Sequence, residues 1–151
     1  MRFFLKFWLP VLTWIVVIFL ASTDLGSSAH TSRILVPVLR WINPQISAEA
    51  IEQVQTVVRK GAHLTEYAIL ATLALRALRA QLQVNPAAWS WRAAGGALLL
   101  AAVYAAGDEI HQSFVPSRGA SPIDALIDTG GASLGLMLLY LRAKIFRARP
   151  Q

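Results

Sequence analysis

The sequence predicts an all-α membrane protein with four transmembrane helices and an interfacial amphipathic helix in the first connection. Three observations carry this expectation. Of 151 residues, 56% are hydrophobic and only 15% charged, with mean hydropathy +0.51, whereas soluble domains run roughly 45–50% apolar and about 25% charged. Four separate apolar runs approach the about 20 residues that a helix needs to cross a bilayer. The basic residues are shared unevenly between alternate connections, as in multi-pass proteins. The length suits a single domain, residues 1–151. The composition excludes a disordered chain, a collagen-like chain and a disulfide scaffold. With no cysteine, disulfides, thiolate nucleophiles and thiolate metal sites are excluded as well.

The first run, residues 3–21, is interrupted only by Lys6, which can snorkel from a helix end, and by Pro10, which membrane helices tolerate. A signal peptide is the rival reading, because Met1 and Arg2 precede an apolar core and Ala21 and Ser22 follow it, but there is no clean A-x-A cleavage site. The connection 22–61 is too long and too apolar for a solvated loop. Within it, 34–41, broken by Pro37, is expected to form a short interfacial piece. Ser47 is placed to cap a helix whose Ile51, Val54, Val57 and Val58 line one face, opposed by Glu52, Gln53 and Thr56. That helix is expected to lie on the membrane surface or over the bundle and to lead directly into the second span.

The second span, 62–78, follows Arg59 and Lys60 and carries His63, Thr65 and Glu66 in its first two turns. The third, 93–107, extends back to 87 if Trp89 and Trp91 occupy the interface and Arg92 snorkels, and it runs into Asp108 and Glu109. The fourth, 123–141, has Asp124 and Asp128 near its start, and a basic tail, 142–151, follows. Gly131 and Gly135 have the small-xxx-small spacing that lets helices approach closely.

Orientation follows from the basic residues. The N-terminus, second connection and C-terminus hold Arg2, Lys6, Arg76, Arg79, Arg92, Arg142, Lys144, Arg147 and Arg149, nine of the 14; the other side holds Arg33, Arg40, Arg59, Lys60 and Arg118. Short cytoplasmic loops keep the excess, so both termini are expected in the cytoplasm. The net charge of +6 would raise nucleic acid as a partner in a soluble protein, but here the basic tail from Arg142 to Arg149 reads as an orientation signal facing anionic lipid rather than a nucleic-acid arm. Membrane lipid is the expected partner, and nucleic acid is not.

On this topology His63, Glu66, Asp108, Glu109, His111, Asp124 and Asp128 all fall near the external end. Ionisable groups at membrane depth cost several kcal/mol unless paired or wetted, so they face a cavity or one another. Lys60, His63 and Tyr67 share a helix face, Asp108 and Gln112 are an i, i+4 pair, and Glu109 is turned about 100° from Asp108. Structural readings stand beside these. Asp124 lies three residues after Ser121 with Pro122 at the first helical position, so capping can account for it as well as a site role can. Arg118 can pair with Asp108 or Asp128, and His111 can be a hydrogen-bonded interface residue.

Three ordered blocks carry a family resemblance: Lys60, His63 and Tyr67 in K-x-x-H-x-x-x-Y; Asp108, Glu109, Gln112, Phe114, Pro116 and Arg118 in D-E-x-x-Q-x-F-x-P-x-R; and Asp124, Gly131 and Gly135 in D-x-x-x-N-x-x-G-x-x-x-G. The chain resembles the VanZ-like membrane proteins. One position departs from the pattern, Asp128 standing where many members have Asn; if that amide donates a hydrogen bond in the family, the role here needs a protonated Asp. The family is named for a protein that raises resistance to teicoplanin, a glycopeptide acting on the cell envelope. The resemblance therefore implies a bacterial inner-membrane protein with an external site, and brings in glycopeptide resistance as a function class.

Three functions compete. In a binding protein, Lys60 and Arg118 donate to phosphate or carboxylate, Glu109, Gln112 and Asp128 hold hydroxyl or amide groups, and Trp41, Tyr67 and Phe114 flank apolar parts of an envelope lipid head group or glycopeptide. His63, Asp108 and Asp124 complete that site. In an enzyme acting on a lipid-linked substrate, Glu109 or Asp108 is the general base, His63 the acid, and Arg118 stabilises developing charge; a metal version gathers His63, His111 and carboxylates. In the third reading the same groups form a structural salt-bridge network. A transporter of four helices without an internal repeat would need an oligomer. The reading favoured is recognition, with no resident metal or cofactor expected.

Overall fold

The computed structural model describes residues 1–23, 28–85, 88–116 and 121–147. Five helices follow one another: α1 (Arg2–Ser22), α2 (Ser28–Ile42), α3 (Ala48–Gln81), α4 (Trp91–Gln112) and α5 (Pro122–Arg147), with no strand among the described residues. Three are long and apolar enough to cross a membrane: α1, α4 and residues 122–145 of α5. The segment expected as the second span is the inner part of α3, where His63, Glu66 and Arg76 dilute the apolar residues.

Residues 34–41 are not broken at Pro37, because α2 runs straight through it. Proline removes one hydrogen bond and crowds the preceding turn, which bends a helix more readily than it ends one. Ile34, Val38, Trp41 and Ile42 project from α2 exposed and at helical spacing. Ser47 caps α3 as expected, its side chain accepting from the Ala50 N–H at 3.1 Å. The helix it starts has 34 residues, about 51 Å at 1.5 Å per residue, against a hydrocarbon layer of about 30 Å. Its first turns therefore reach beyond the bundle, where Gln55 donates to Ser32 of α2 at 2.9 Å. The segment expected as an amphipathic helix and the segment expected as the second span are thus one continuous helix.

The inner part of α3 is the axis of the fold. Tyr67, Leu70, Ala71, Ala74, Leu75 and Ala77 are buried, and α1, α2, α4 and α5 all pack against this helix. Cross-links set the directions. Trp14 of α1 donates to the Glu66 carbonyl at 2.8 Å and Arg76 to the Lys6 carbonyl at 3.2 Å, so α1 runs antiparallel to α3. Tyr104 of α4 donates to the Ile15 carbonyl at 2.9 Å. The turn after α3 is closed by Val84 N–H to the Arg79 carbonyl and Gln83 N–H to the Ala80 carbonyl, with Gln83 at φ 51°. It is fastened by Arg79 donating to the Ala88 carbonyl at 2.9 Å. Trp89, Trp91 and Tyr140 cluster at this end with ring centroids 5.1–5.8 Å apart.

Helix α5 lies parallel to α3 and almost touches its backbone. A Cβ on Gly131 would collide with the Leu64 carbonyl oxygen, and one on Gly135 would stand 2.8 Å from that of Ala68. The expected small-xxx-small contact is therefore made, and it is made with α3. Gly130, one position away, would meet nothing within 4 Å. Gly131→Ala is accordingly expected to lower stability by about 1–3 kcal/mol through overpacking. Gly130→Ala, gaining helix propensity of up to about 1 kcal/mol, is expected to be neutral or stabilising. Thermal melts of the two variants in the same detergent check the contrast; equal melting temperatures would contradict it.

Candidate functional site

One end of the bundle collects polar side chains from four helices: Ser22 ends α1, Lys60 and His63 lie on α3, Asp108, Glu109 and Gln112 form the last turn of α4, and Asp124 and Asp128 the first turns of α5. Asp108, Glu109, Gln112 and Asp128 are all buried, Asp128 completely. The helical twist gives adjacent acids different surroundings. Asp108 faces the bundle axis, where its Oδ2 accepts from Ser22 at 2.7 Å, from Gln112 at 3.0 Å and, over a long 3.4 Å, from the Tyr67 hydroxyl. One carboxylate oxygen thereby ties α1, α3 and α4 together. Its Oδ1 has no hydrogen-bond donor among the described residues.

Glu109 turns toward α5 and accepts the backbone N–H of Ser121 at 2.8 Å. Capping of α5 is therefore divided: Ser121 Oγ accepts from Ile123 N–H at 3.2 Å, while Glu109 of the neighbouring helix takes the N–H that Asp124 was expected to cover. Asp124 instead pairs with Lys60 at 3.7 Å. With the two side chains 44% and 32% exposed, that pair contributes no more than about 1 kcal/mol. Asp128 stands against His63, Oδ1 to Nδ1 3.4 Å, with no other partner for either oxygen among the described residues. His63, Asp108 and Asp128 each offer a ligand atom within 4.8 Å of the others, which makes them the residues able to hold a metal ion.

A cavity of about 20 Å³ opens between these helices, lined by Arg59, Lys60, His63, Glu109, Gln112, Asp124, Ile127 and Asp128. A water molecule needs roughly 10–15 Å³ of such space, so one small group fits inside and anything larger engages at the mouth. A family model described as VanZ/LLP1 matches residues 7–146. The chain belongs to the VanZ/LLP1 family. No curated protein and no solved structure matches it. All three motif blocks lie within the VanZ/LLP1 match, and each contributes to the cluster: Lys60 and His63 from the first, Asp108, Glu109 and Gln112 from the second, Asp124 and Asp128 from the third.

Six of the nine candidate ligand residues line the cavity: Lys60, His63, Glu109, Gln112, Asp124 and Asp128. Tyr67 and Asp108 sit behind it, hydrogen-bonded to each other. Arg118 lies outside the described residues. Trp41 and Phe114, expected to flank a ligand, are 85% and 79% exposed and line no part of the cavity. His111, drawn into the metal version of the enzyme, is on another face of α4, its ring 4.7 Å from that of Phe19. The motif reading passed over two contributors. Arg59 lines the cavity beside Lys60, and Ser22 was legible only as a polar residue closing an apolar span.

Because Asp108 holds three donors, Ser22→Ala is expected to cost about 1–3 kcal/mol by removing the shortest bond, and Tyr67→Phe less than about 1 kcal/mol. Asp108→Ala, which leaves buried donors unpaired on three helices, is expected to cost more than either. Chemical or thermal unfolding in detergent measures the order; Tyr67→Phe as costly as Ser22→Ala would overturn it.

Proposed function

We propose that this VanZ/LLP1 protein is a multi-pass protein of the bacterial inner membrane that recognises a cell-envelope ligand, a lipid head group or a glycopeptide, at the external polar end of its bundle. Residues 62–78 of α3 form its second span, which brings the number of spans to four. That segment needs less apolar surface than the others because α1, α4 and α5 wrap it and supply most of the lipid-facing side chains. The exposed stripe of Ile34, Val38 and Trp41 suits α2 to the interface. The excess of Lys and Arg at the opposite end, including Lys6, Arg76, Arg79, Arg92 and Arg142, supports a cytoplasmic location for both termini.

The observation that carries the reading is the one-ended convergence of Lys60, Glu109, Asp124 and Asp128 around a cavity that still reaches the surface. A network serving stability alone would resemble Asp108, whose bonded oxygen is saturated by protein donors. Lys60 and Arg59 offer charge-assisted donors to a phosphate or carboxylate at the mouth; Arg118, outside the described residues, is the further donor that the second motif block suggests, its guanidinium able to bind in bidentate fashion. Glu109 and Asp128 behind them accept from a hydroxyl, amide or amine. The small interior admits one such group, so selectivity resides in the part of the ligand that enters.

Protein in nanodiscs, titrated with a short-chain anionic phospholipid and separately with teicoplanin, tests this. Lys60→Gln and Arg118→Gln are each expected to weaken binding of the recognised ligand by about fivefold to tenfold, roughly 1–1.4 kcal/mol. Arg92→Gln, at the opposite end, is expected to leave it unchanged. Unaltered affinities in both external variants would remove the basis for recognition at this end.

A further inference from the structure

We infer that His63, Asp108 and Asp128 form a binding site for one divalent transition-metal cation, of the Mn²⁺ or Zn²⁺ class, built across α3, α4 and α5. Three facts converge. The first is proximity, since a ligand atom from each residue lies within 4.8 Å of the other two. The closest pair, His63 Nδ1 and Asp128 Oδ1, stands at 3.4 Å. Ligands bound at about 2.0–2.2 Å around one ion are separated by roughly this distance.

The second is a deficit of donors. Asp128 is fully buried and, among the described residues, neither of its oxygens has a hydrogen-bond donor beyond the 3.4 Å approach of His63, and Oδ1 of buried Asp108 is likewise without a donor. A buried carboxylate in that condition is costly, and a coordinated cation removes the cost. Asp108 is also held as a metal ligand should be: Ser22 and Gln112 occupy Oδ2 and fix the carboxyl group, leaving Oδ1 for an ion. The third is charge. Two carboxylates and a neutral imidazole balance a dication, and Lys60 of the adjoining cavity is paired with Asp124.

The donor set selects the ion. One imidazole with two carboxylates suits Mn²⁺ or Zn²⁺, while Ca²⁺ prefers six to eight oxygens. The adjoining cavity has room for a water to complete the coordination shell, and the unpartnered Oε1 of Glu109, which lines it, is positioned to accept from that water.

The site does not depend on the recognition reading, and its test uses the metal alone. Full-length protein in nanodiscs, stripped with chelator, is titrated with MnCl₂ while free Mn²⁺ is followed by electron paramagnetic resonance, and then with ZnCl₂ in competition. One saturable equivalent is expected, with the spin-echo modulation of a directly bound nitrogen. Affinity should fall at least tenfold in Asp128→Asn, and the nitrogen modulation should vanish in His63→Gln. Lys60→Gln is expected to retain Mn²⁺ while weakening binding of the envelope ligand, which separates the two proposals. Absence of a saturable site in the wild-type protein, or variants that keep its affinity, overturns the inference. If a variant does not fold, the wild-type stoichiometry and nitrogen signal decide alone.

Discussion

The architecture depends on one close approach: α5 rests on the backbone of α3 at Gly131 and Gly135, with no space for a Cβ at either position. That contact brings the helix axes closer than larger residues would allow. It also sets the register of the polar end. Gly131 is three residues, almost one turn, from Asp128, and Leu64 is next to His63, so seating the glycine on the Leu64 carbonyl sets Asp128 against the imidazole. A packing feature of the apolar core thereby determines the distance between two ionisable groups.

The second constraint is the cost of polar groups away from water. Asp108 and Glu109, adjacent in the chain, meet it in different ways. Asp108 gathers side-chain donors from α1, α3 and α4, and Glu109 takes a backbone N–H at the start of α5. Together they bind every other helix of the core to the end of α4. Among the described residues, Oδ1 of Asp108 and Oε1 of Glu109 have no hydrogen-bond donor, and Asp128, which lines the cavity with Glu109, has none for either oxygen. Within Asp108 and Glu109 one carboxyl oxygen thus makes the cross-helix bonds and the other makes none among the described residues.

Much of this was legible in the sequence, for definite reasons. Apolar runs marked α1, α4 and α5, and Ser47 with its amphipathic stripe marked the start of α3, because caps and periodicity are local properties. Glycine spacing marked the close helix face without naming its partner. Other features were hidden. Pro37 looked like a break because its effect depends on the turns around it. Asp124 looked like a cap because the competing acceptor, Glu109, lies 12 residues away in the chain. His111 had the same apparent claim to a metal as His63, and only the rotation of α4 separates them, placing His111 beside Phe19.

Composition and periodicity by themselves determined that the chain is helical and suited to a membrane, and that the acids and histidines within its apolar helices gather near one end. These follow from the cost of exposing backbone and charge to hydrocarbon, which acts on each segment separately. Which acid meets which partner was decided only by the tertiary structure. Pairing depends on helix rotation and on the α3–α5 separation, both set by contacts between segments distant in the chain. Tyr67 therefore lies behind Asp108, Lys60 reaches Asp124, and His63 faces Asp128, an arrangement that one-dimensional spacing does not encode.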